Sequence, residues 1–450
     1  MAFGEDFAWG AAAASYQIEG AVREDGRGQS VWDEFCRWEG KVWQGHTGEV
    51  ACDHYHRWAE DVELMKQIGL KAYRLSIAWP RVLPEGVGAI NDKGLAFYDR
   101  LVDALLAAGI QPWVTLFHWD YPLALYRRGG WLNRDAVEWF GEYTRAVVDR
   151  LSDRVRHWFT LNEPQVFIGH GHALGLHAPG LQLPISQQLL VTHHVLMAHG
   201  RAVQVIRERS KVEPLVGWAP VGGVRYPATD SDADRQAAWA ATTEMHEPNL
   251  WSNAWFAEPV VFGRYPESGL RLFGGDMPPI RDGDMELMCQ PLDFYGMNCY
   301  VGSPVRAGED GRPQPVPRQP GHPISLYEWP LEPKALYWGP KFLHEKYSLP
   351  IVITENGISN MDWVSLDGKV HDPQRIDYTH RYLRELKRAA GDGVPVLGYF
   401  HWSILDNFEW HHGYKHRFGL VHVDFETLKR TPKDSARWYG DVIRANGENL

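Results

Sequence analysis

Eight short apolar or alternating runs punctuate this chain, and most are separated by stretches with helical spacing. They cover residues 7–14, 72–79, 111–119, 157–163, 215–221, 293–300, 351–355 and 398–405. Between the first two, Tyr55, Trp58, Val62, Met65 and Ile68 fall on one helical face within 53–68. Leu95, Tyr98, Leu101, Val102 and Leu105 do the same ahead of Gly109, which suits a helix C-cap. Val137, Phe140, Tyr143, Val147 and Leu151 form another such face behind Asn133, a good N-cap residue. Strands alternating with amphipathic helices predict parallel βαβ units. Eight of them, with no Ser-rich or Gly-rich linker, predict one α/β domain over residues 1–450, a closed (β/α)8 TIM barrel. An open doubly wound sheet would want a Gly-rich phosphate turn after the first strand, and no GxGxxG occurs there.

Charge and patterning remove several partner classes. The chain has 57 acidic against 46 basic residues, a net charge of −11, whereas a nucleic-acid partner wants a basic face. No apolar stretch reaches the roughly 18 residues of a membrane span, so no membrane partner is expected. MAFGEDFAWG at the N-terminus has neither a basic n-region nor a long apolar h-region, and a cytoplasmic location is expected. Cys36, Cys52, Cys289 and Cys299 show no CxxC spacing, which predicts reduced thiols.

Catalytic groups of such a barrel sit at the C-terminal ends of its strands. The fourth run ends in Thr160-Leu161-Asn162-Glu163-Pro164 and the seventh in Thr354-Glu355-Asn356-Gly357. Each places a glutamate just past an apolar run, where it points into the barrel mouth. One such glutamate alone is more often a salt-bridge or helix-cap residue. Two facing carboxylates are what glycoside hydrolysis needs, one protonated and one ionised. Arg74 in the second run is well placed to hold one of them ionised. Other strand ends supply Gln17, His118-Trp119, Asn298 and Tyr300, Trp402, and Glu409-Trp410. Polar groups among tryptophans suit a small ligand that is all hydroxyls with apolar faces. After the sixth run, segment 304–323 holds six prolines with Arg306, Arg312 and Arg318, and is expected to be a long functional or mobile loop on the catalytic face.

At these residues the chain resembles glycoside hydrolase family 1, the β-glucosidase family, over essentially its whole length. The similar segments are FAWGAAAASYQIEGA from Phe7, CDHYHRW from Cys52, YRLSIAWPR from Tyr73, TLFHWD from Thr115 and TLNEP from Thr160. HAPG from His177, DFYGMN from Asp293, ITENG from Ile353 and HWSILDNFEW from His401 continue the series in order. The resemblance implies a retaining double displacement on small β-glucosides, with Glu163 as acid/base and Glu355 as nucleophile. It implies that Arg74 and Tyr300 partner the nucleophile and that Asn162 bonds the sugar 2-hydroxyl. Gln17, His118, Glu409 and Trp410 match positions for the remaining hydroxyls, Trp402 the stacking floor, and Trp329 the aglycone side. Gln165 stands where many members have tryptophan, and Cys299-Tyr300 where many have two tyrosines; the first puts the aglycone site in question.

Three other functions compete. A 6-phospho-β-glycosidase of the same family would usually carry serine at position 409, because a carboxylate repels phosphate. Metal hydrolysis would need ligands among 21 histidines, yet the pairs His54/His56, His170/His172, His193/His194 and His411/His412 match neither HExxH nor a zinc spacing. No metal and no cofactor are therefore expected, and most of these histidines are expected to satisfy local hydrogen bonds. A non-catalytic sugar-binding barrel would lack one of the two glutamates, and both are present.

Overall fold

The computed structural model describes residues 3–450. All eight predicted runs are strands: β1 Ala8–Ala12, β2 Ala72–Ser76, β3 Gln111–Phe117, β4 His157–Asn162, β5 Leu215–Ala219, β6 Tyr295–Asn298, β7 Ile351–Asn356 and β8 Val396–Trp402. They form one parallel sheet in which β1 pairs with both β2 and β8. Asp293 N donates to Val216 O at 2.8 Å and Asn298 N to Pro220 O at 3.0 Å, which joins β6 to the end of β5 and closes the ring. Major helices of the outer layer are α1 His54–Ile68, α2 Asp92–Ala107, α3 Ala136–Leu151, α4 Ile185–Arg209, α5 Asn253–Phe262, α6 Ala335–Tyr347, α7 Pro373–Gly391 and α8 Asp434–Arg444. The closed (β/α)8 barrel thus stands in place of an open sheet.

Small and large side chains alternate inside the barrel. Ala8 and Ala72 leave room for Trp113, Phe159, Phe294 and Phe400, which pack together. A Cβ on Gly10 would lie 2.5 Å from the Phe400 ring, so β1 has no room for a side chain there. Arg74 lies on this aromatic layer, its guanidinium 5.1 Å from the Phe159 ring centroid. The aromatic plug is therefore the base on which the charged layer rests.

Local expectations are refined in two places. Helix α3 begins at Ala136, and Asn133 caps the turn that feeds it, its side chain accepting from Asp135 N at 2.9 Å. Segment 304–323 is not a structureless loop. Strand Gly302–Ala307 pairs with Val224–Pro227 on one side and with Pro313–Pro315 on the other, in a small three-stranded sheet. Only three residues of its outer strand pair, an edge position where proline is tolerated. Arg318 is tied down by Glu332 at 2.8 Å and by Gly302 O at 2.7 Å.

A buried ion network braces the catalytic end. Lys433 Nζ donates to Asp362 at 2.5 Å and to Asp406 at 2.7 Å. Arg375 also bonds Asp362 at 2.5 Å, and Arg417 bonds Asp406 at 2.7 Å. Removing one member would strand a buried charge at a cost of about 3–5 kcal/mol. All four cysteines are free thiols. Among the described residues, no helix is long and apolar enough to cross a membrane.

Candidate active site

Glu163 follows β4 directly and has left-handed backbone, φ 44° and ψ 63°. Its N–H donates to Ala219 O at 2.8 Å, and Pro164 opens the short helix that comes next. Strand, left-handed residue and proline together swing the carboxylate over the barrel axis. Trp119 and Trp410, which line the same cavity, also have positive φ, 79° and 53°. Non-glycine residues in that region carry strain, and three of them meet at this cavity.

Glu355 stays within β7, in register with Asn298 on β6. Arg74 Nη1 donates to Glu355 Oε1 at 2.6 Å, and the Tyr300 hydroxyl donates to Oε2 at 2.7 Å. Arg74 Nη2 reaches Asn162 Oδ1 at 2.6 Å. Asn298 Nδ2 donates to Glu163 Oε1 at 2.8 Å and to Asn162 Oδ1 at 3.1 Å, while Thr354 Oγ1 donates to Asn298 Oδ1 at 2.6 Å. Asn162 Oδ1 is thus an acceptor twice over, so its Nδ2 donates to His118 Nε2 at 3.0 Å and the imidazole hydrogen sits on Nδ1. Burial and the Arg74 charge keep that ring neutral.

The two carboxyls differ in surroundings. Burial and then the Glu355 charge push Glu163 well above the usual carboxylate range. Burial also raises Glu355, but the Arg74 charge and the Tyr300 hydrogen bond oppose it. Tyr300 itself is raised well above the ordinary phenol by burial and by Glu355, and so keeps the proton it donates. Of the pair, Glu163 is raised the further, while Glu355 has the cation and the phenol bonded to it.

The other predicted residues converge on the same cavity of about 490 Å³. His118, Asn298, Tyr300, Trp329, Trp402, Glu409 and Trp410 line it with the two glutamates. Gln17, Asn162 and Arg74 stand behind that lining and orient it. Gln17 Nε2 donates to Glu409 Oε2 at 3.2 Å, and Asn407 Nδ2 donates to the same oxygen at 2.9 Å. Gln17 Oε1 is buried with no protein partner. Burial pushes Glu409 up to about 8. Trp329 packs on Tyr300, their ring centroids 4.9 Å apart.

One expectation changes, that for Gln165, while the departure at Cys299 leaves the catalytic set intact as expected. Gln165 does not shape the cavity: it is buried, accepts from Val221 N at 3.3 Å, and Val166 lines the wall instead. Cys299 lies among the hydrophobic residues outside the barrel, so the missing tyrosine leaves the carboxylate network whole. Sequence reading placed none of Tyr327, Trp251, Phe418, His170, His177, His411 and His412 in the site, yet all line the cavity; His170, His411 and His412 had entered only as pairs weighed for a metal. His177 sat in the HAPG segment, and His411 directly follows Trp410. Several other histidines bond locally: His54 to Asp61 at 2.7 Å, His56 to Asp53 at 2.6 Å, His193 to Asp284 at 3.0 Å, and His194 to Trp131 O at 2.9 Å. Among the described residues, no three of His, Cys, Asp or Glu are placed to hold one metal ion.

A closed barrel with paired, unequal carboxyls and hydroxyl-binding groups over an aromatic floor is built as a glycoside hydrolase. The chain belongs to glycosyl hydrolase family 1, whose model matches residues 1–448. It is 44% identical over 446 residues to a 1,4-beta-D-glucan glucohydrolase of Thermotoga neapolitana, covering 99% of both chains. It is 38% identical to an aryl-phospho-beta-D-glucosidase of Bacillus subtilis, covering 100% of this chain and 98% of that one. The solved beta-glucosidase of Thermotoga maritima in complex with glucoimidazole superposes with a TM-score of 0.91 at 44% identity, covering 99% of both chains.

Proposed function

We propose that this protein is a retaining β-glucosidase. It removes terminal non-reducing β-D-glucosyl residues from cellobiose, short cello-oligosaccharides and aryl or alkyl β-glucosides, with β-galactosides and β-fucosides as further substrates. The observation that carries the reading is the pair itself: Glu355 bonded by Arg74 and Tyr300, which oppose the rise that burial imposes, and Glu163 pushed well above the usual carboxylate range by burial and by Glu355. Glu355 attacks the anomeric carbon while Glu163 passes its proton to the departing oxygen. A covalent glycosyl-enzyme forms and Glu355 loses its charge. That loss lowers the proton affinity of Glu163, which then takes a proton from the incoming water. Asn162 meets the 2-hydroxyl, Gln17, His118, Glu409 and Trp410 the others, and Trp402 the ring face.

A phosphorylated sugar fits less well. Glu409 at about 8 carries a proton at neutral pH, so simple repulsion is a weak barrier. The stronger one is the lack of counter-charge: among the described residues, no lysine or arginine lines the cavity. A kinetic panel of β-glycosides, varied in sugar, phosphorylation and leaving group, tests the proposal. Preference for 6-phosphoglucosides over glucosides would overturn it.

A further inference from the structure

The cavity has two zones. Its floor holds Glu163, Glu355, Glu409, Trp402 and Trp410, all under 10% exposed. Its rim opens outward, with Trp251 at 38% and Leu176 at 45% exposure. All three carboxylates that line the cavity belong to the floor. Among the described residues, no carboxylate, side-chain amide or side-chain cation lines the rim.

Imidazoles take their place. His177 Nε2 lies 2.8 Å from His411 Nδ1. Ring centroids of His411 and His412 are 3.8 Å apart, and His170 stands 4.9 Å from His177. His411 Nε2 and both nitrogens of His412 have no hydrogen-bond partner among the described residues, and both rings line the cavity. Burial pushes His411 down to about 3 and His412 to about 4, helped by neighbouring imidazoles and, for His412, by Lys415. The rings are therefore uncharged at neutral pH, which does not suit an anion. Aromatic walls flank them: His170 is 5.1 Å from Trp251, and Tyr327 is 4.7 Å from His412 and 4.3 Å from Trp329.

A sugar in the rim would want the carboxylates and amides that the floor supplies. A flat apolar ring bearing a hydroxyl wants aromatic walls and a neutral group able both to donate and to accept. We propose that the rim selects hydroxylated aromatic aglycones, stacked on its Trp251 and Tyr327–Trp329 walls with a distal phenolic hydroxyl bonded to His411 or His412. This rests on the β-glucosidase reading of the floor.

The test compares 4′-hydroxybiphenyl-4-yl and 4′-methoxybiphenyl-4-yl β-glucosides, whose leaving oxygens are closely matched. Wild type, His412→Phe and His411→Gln are assayed on both and on cellobiose, with thermal melting to confirm folding. Wild type should favour the hydroxy substrate about threefold to tenfold in kcat/KM, the value of one hydrogen bond. The ratio should fall towards one in at least one variant. A ratio near one in wild type, or an equal ratio in all three proteins, would overturn the proposal. So would a loss on cellobiose as large as that on the hydroxy substrate, which would assign the imidazoles to a second sugar. No turnover of any glucoside by wild type would instead overturn the reading of the floor.

Discussion

Asn298 stands in register with Glu355 on the adjoining strand, yet its side-chain amide donates to Glu163 at 2.8 Å. One residue therefore connects the two carboxyls, and it acts on their proton affinities from a fixed position. Its hydrogen bond pulls Glu163 down against burial and the Glu355 charge. In Asn298→Ala that pull is gone, so the alkaline limb of the kcat/KM profile should move to higher pH. The loss of a hydrogen bond to a protonated carboxyl should also cost about twofold to tenfold in kcat/KM. An alkaline limb that stays put or moves down would contradict this.

Glu355→Gln should lower turnover by more than about a thousandfold, because an amide cannot form the glycosyl ester. Arg74 and Tyr300 keep an uncharged partner, and the fold should survive, as thermal melting would show. Substantial residual activity in a preparation free of wild type would sink the assignment.

Glu163→Gln should harm poor leaving groups far more than activated ones. A dinitrophenyl glucoside departs without a proton, whereas an alkyl glucoside depends on one, a difference of about 10²–10⁴. In wild type the raised Glu163 is active while protonated, so activity falls as pH rises through its folded value. The variant should lack that limb. Equal losses on both substrates would rule out an acid role.

Retention makes a stereochemical forecast. Proton NMR of early hydrolysis of a β-glucoside should show β-glucose first, followed by mutarotation. α-Glucose first would contradict a double displacement.

Asp120 offers a test of stability outside the chemistry. Burial raises its carboxyl to about 7, opposed by the Ser15 hydroxyl at 2.8 Å. The folded state holds this proton more tightly than the unfolded chain, where the value is about 3.9. Stability is therefore lost progressively as pH rises from about 4 through about 7, by at most about 4 kcal/mol. Asp120→Asn should raise the melting temperature at pH 8 and change it little at pH 4. A variant less stable than wild type at pH 8 would refute this.

The barrel was legible in the sequence because the strands are short, largely buried runs, several of which end in polar or catalytic residues. Arg74 could be matched to Glu355 because alternating residues of a barrel strand share the interior. What Gln165 does was not legible: the left-handed turn at Glu163 decides which following side chain faces the cavity, and it turns Gln165 into the protein and Val166 outward. Nor was the rim. Trp251, Tyr327 and His412 come from separate loops with no shared spacing, and only the three-dimensional path of those loops joins them. The prolines of 304–323 suggested a functional or mobile loop, but an edge strand tolerates them, and pairing within the small sheet built on Val224–Pro227 orders the segment.

Lys433 has a consequence for the order in which the protein can become active. It clamps Asp406, which lies between Trp402 and Glu409, and it also clamps Asp362. A ribosome that has already made every residue of the sugar-binding floor has not yet made this lysine. Until it emerges, two buried aspartates lack their common cation, and of the buried network only Arg417 holds Asp406 in the loop that leads to Glu409. Nascent chains should therefore stay inert towards sugar almost until synthesis passes the last barrel helix, and proteolysis that removes that stretch should silence an otherwise intact set of catalytic residues.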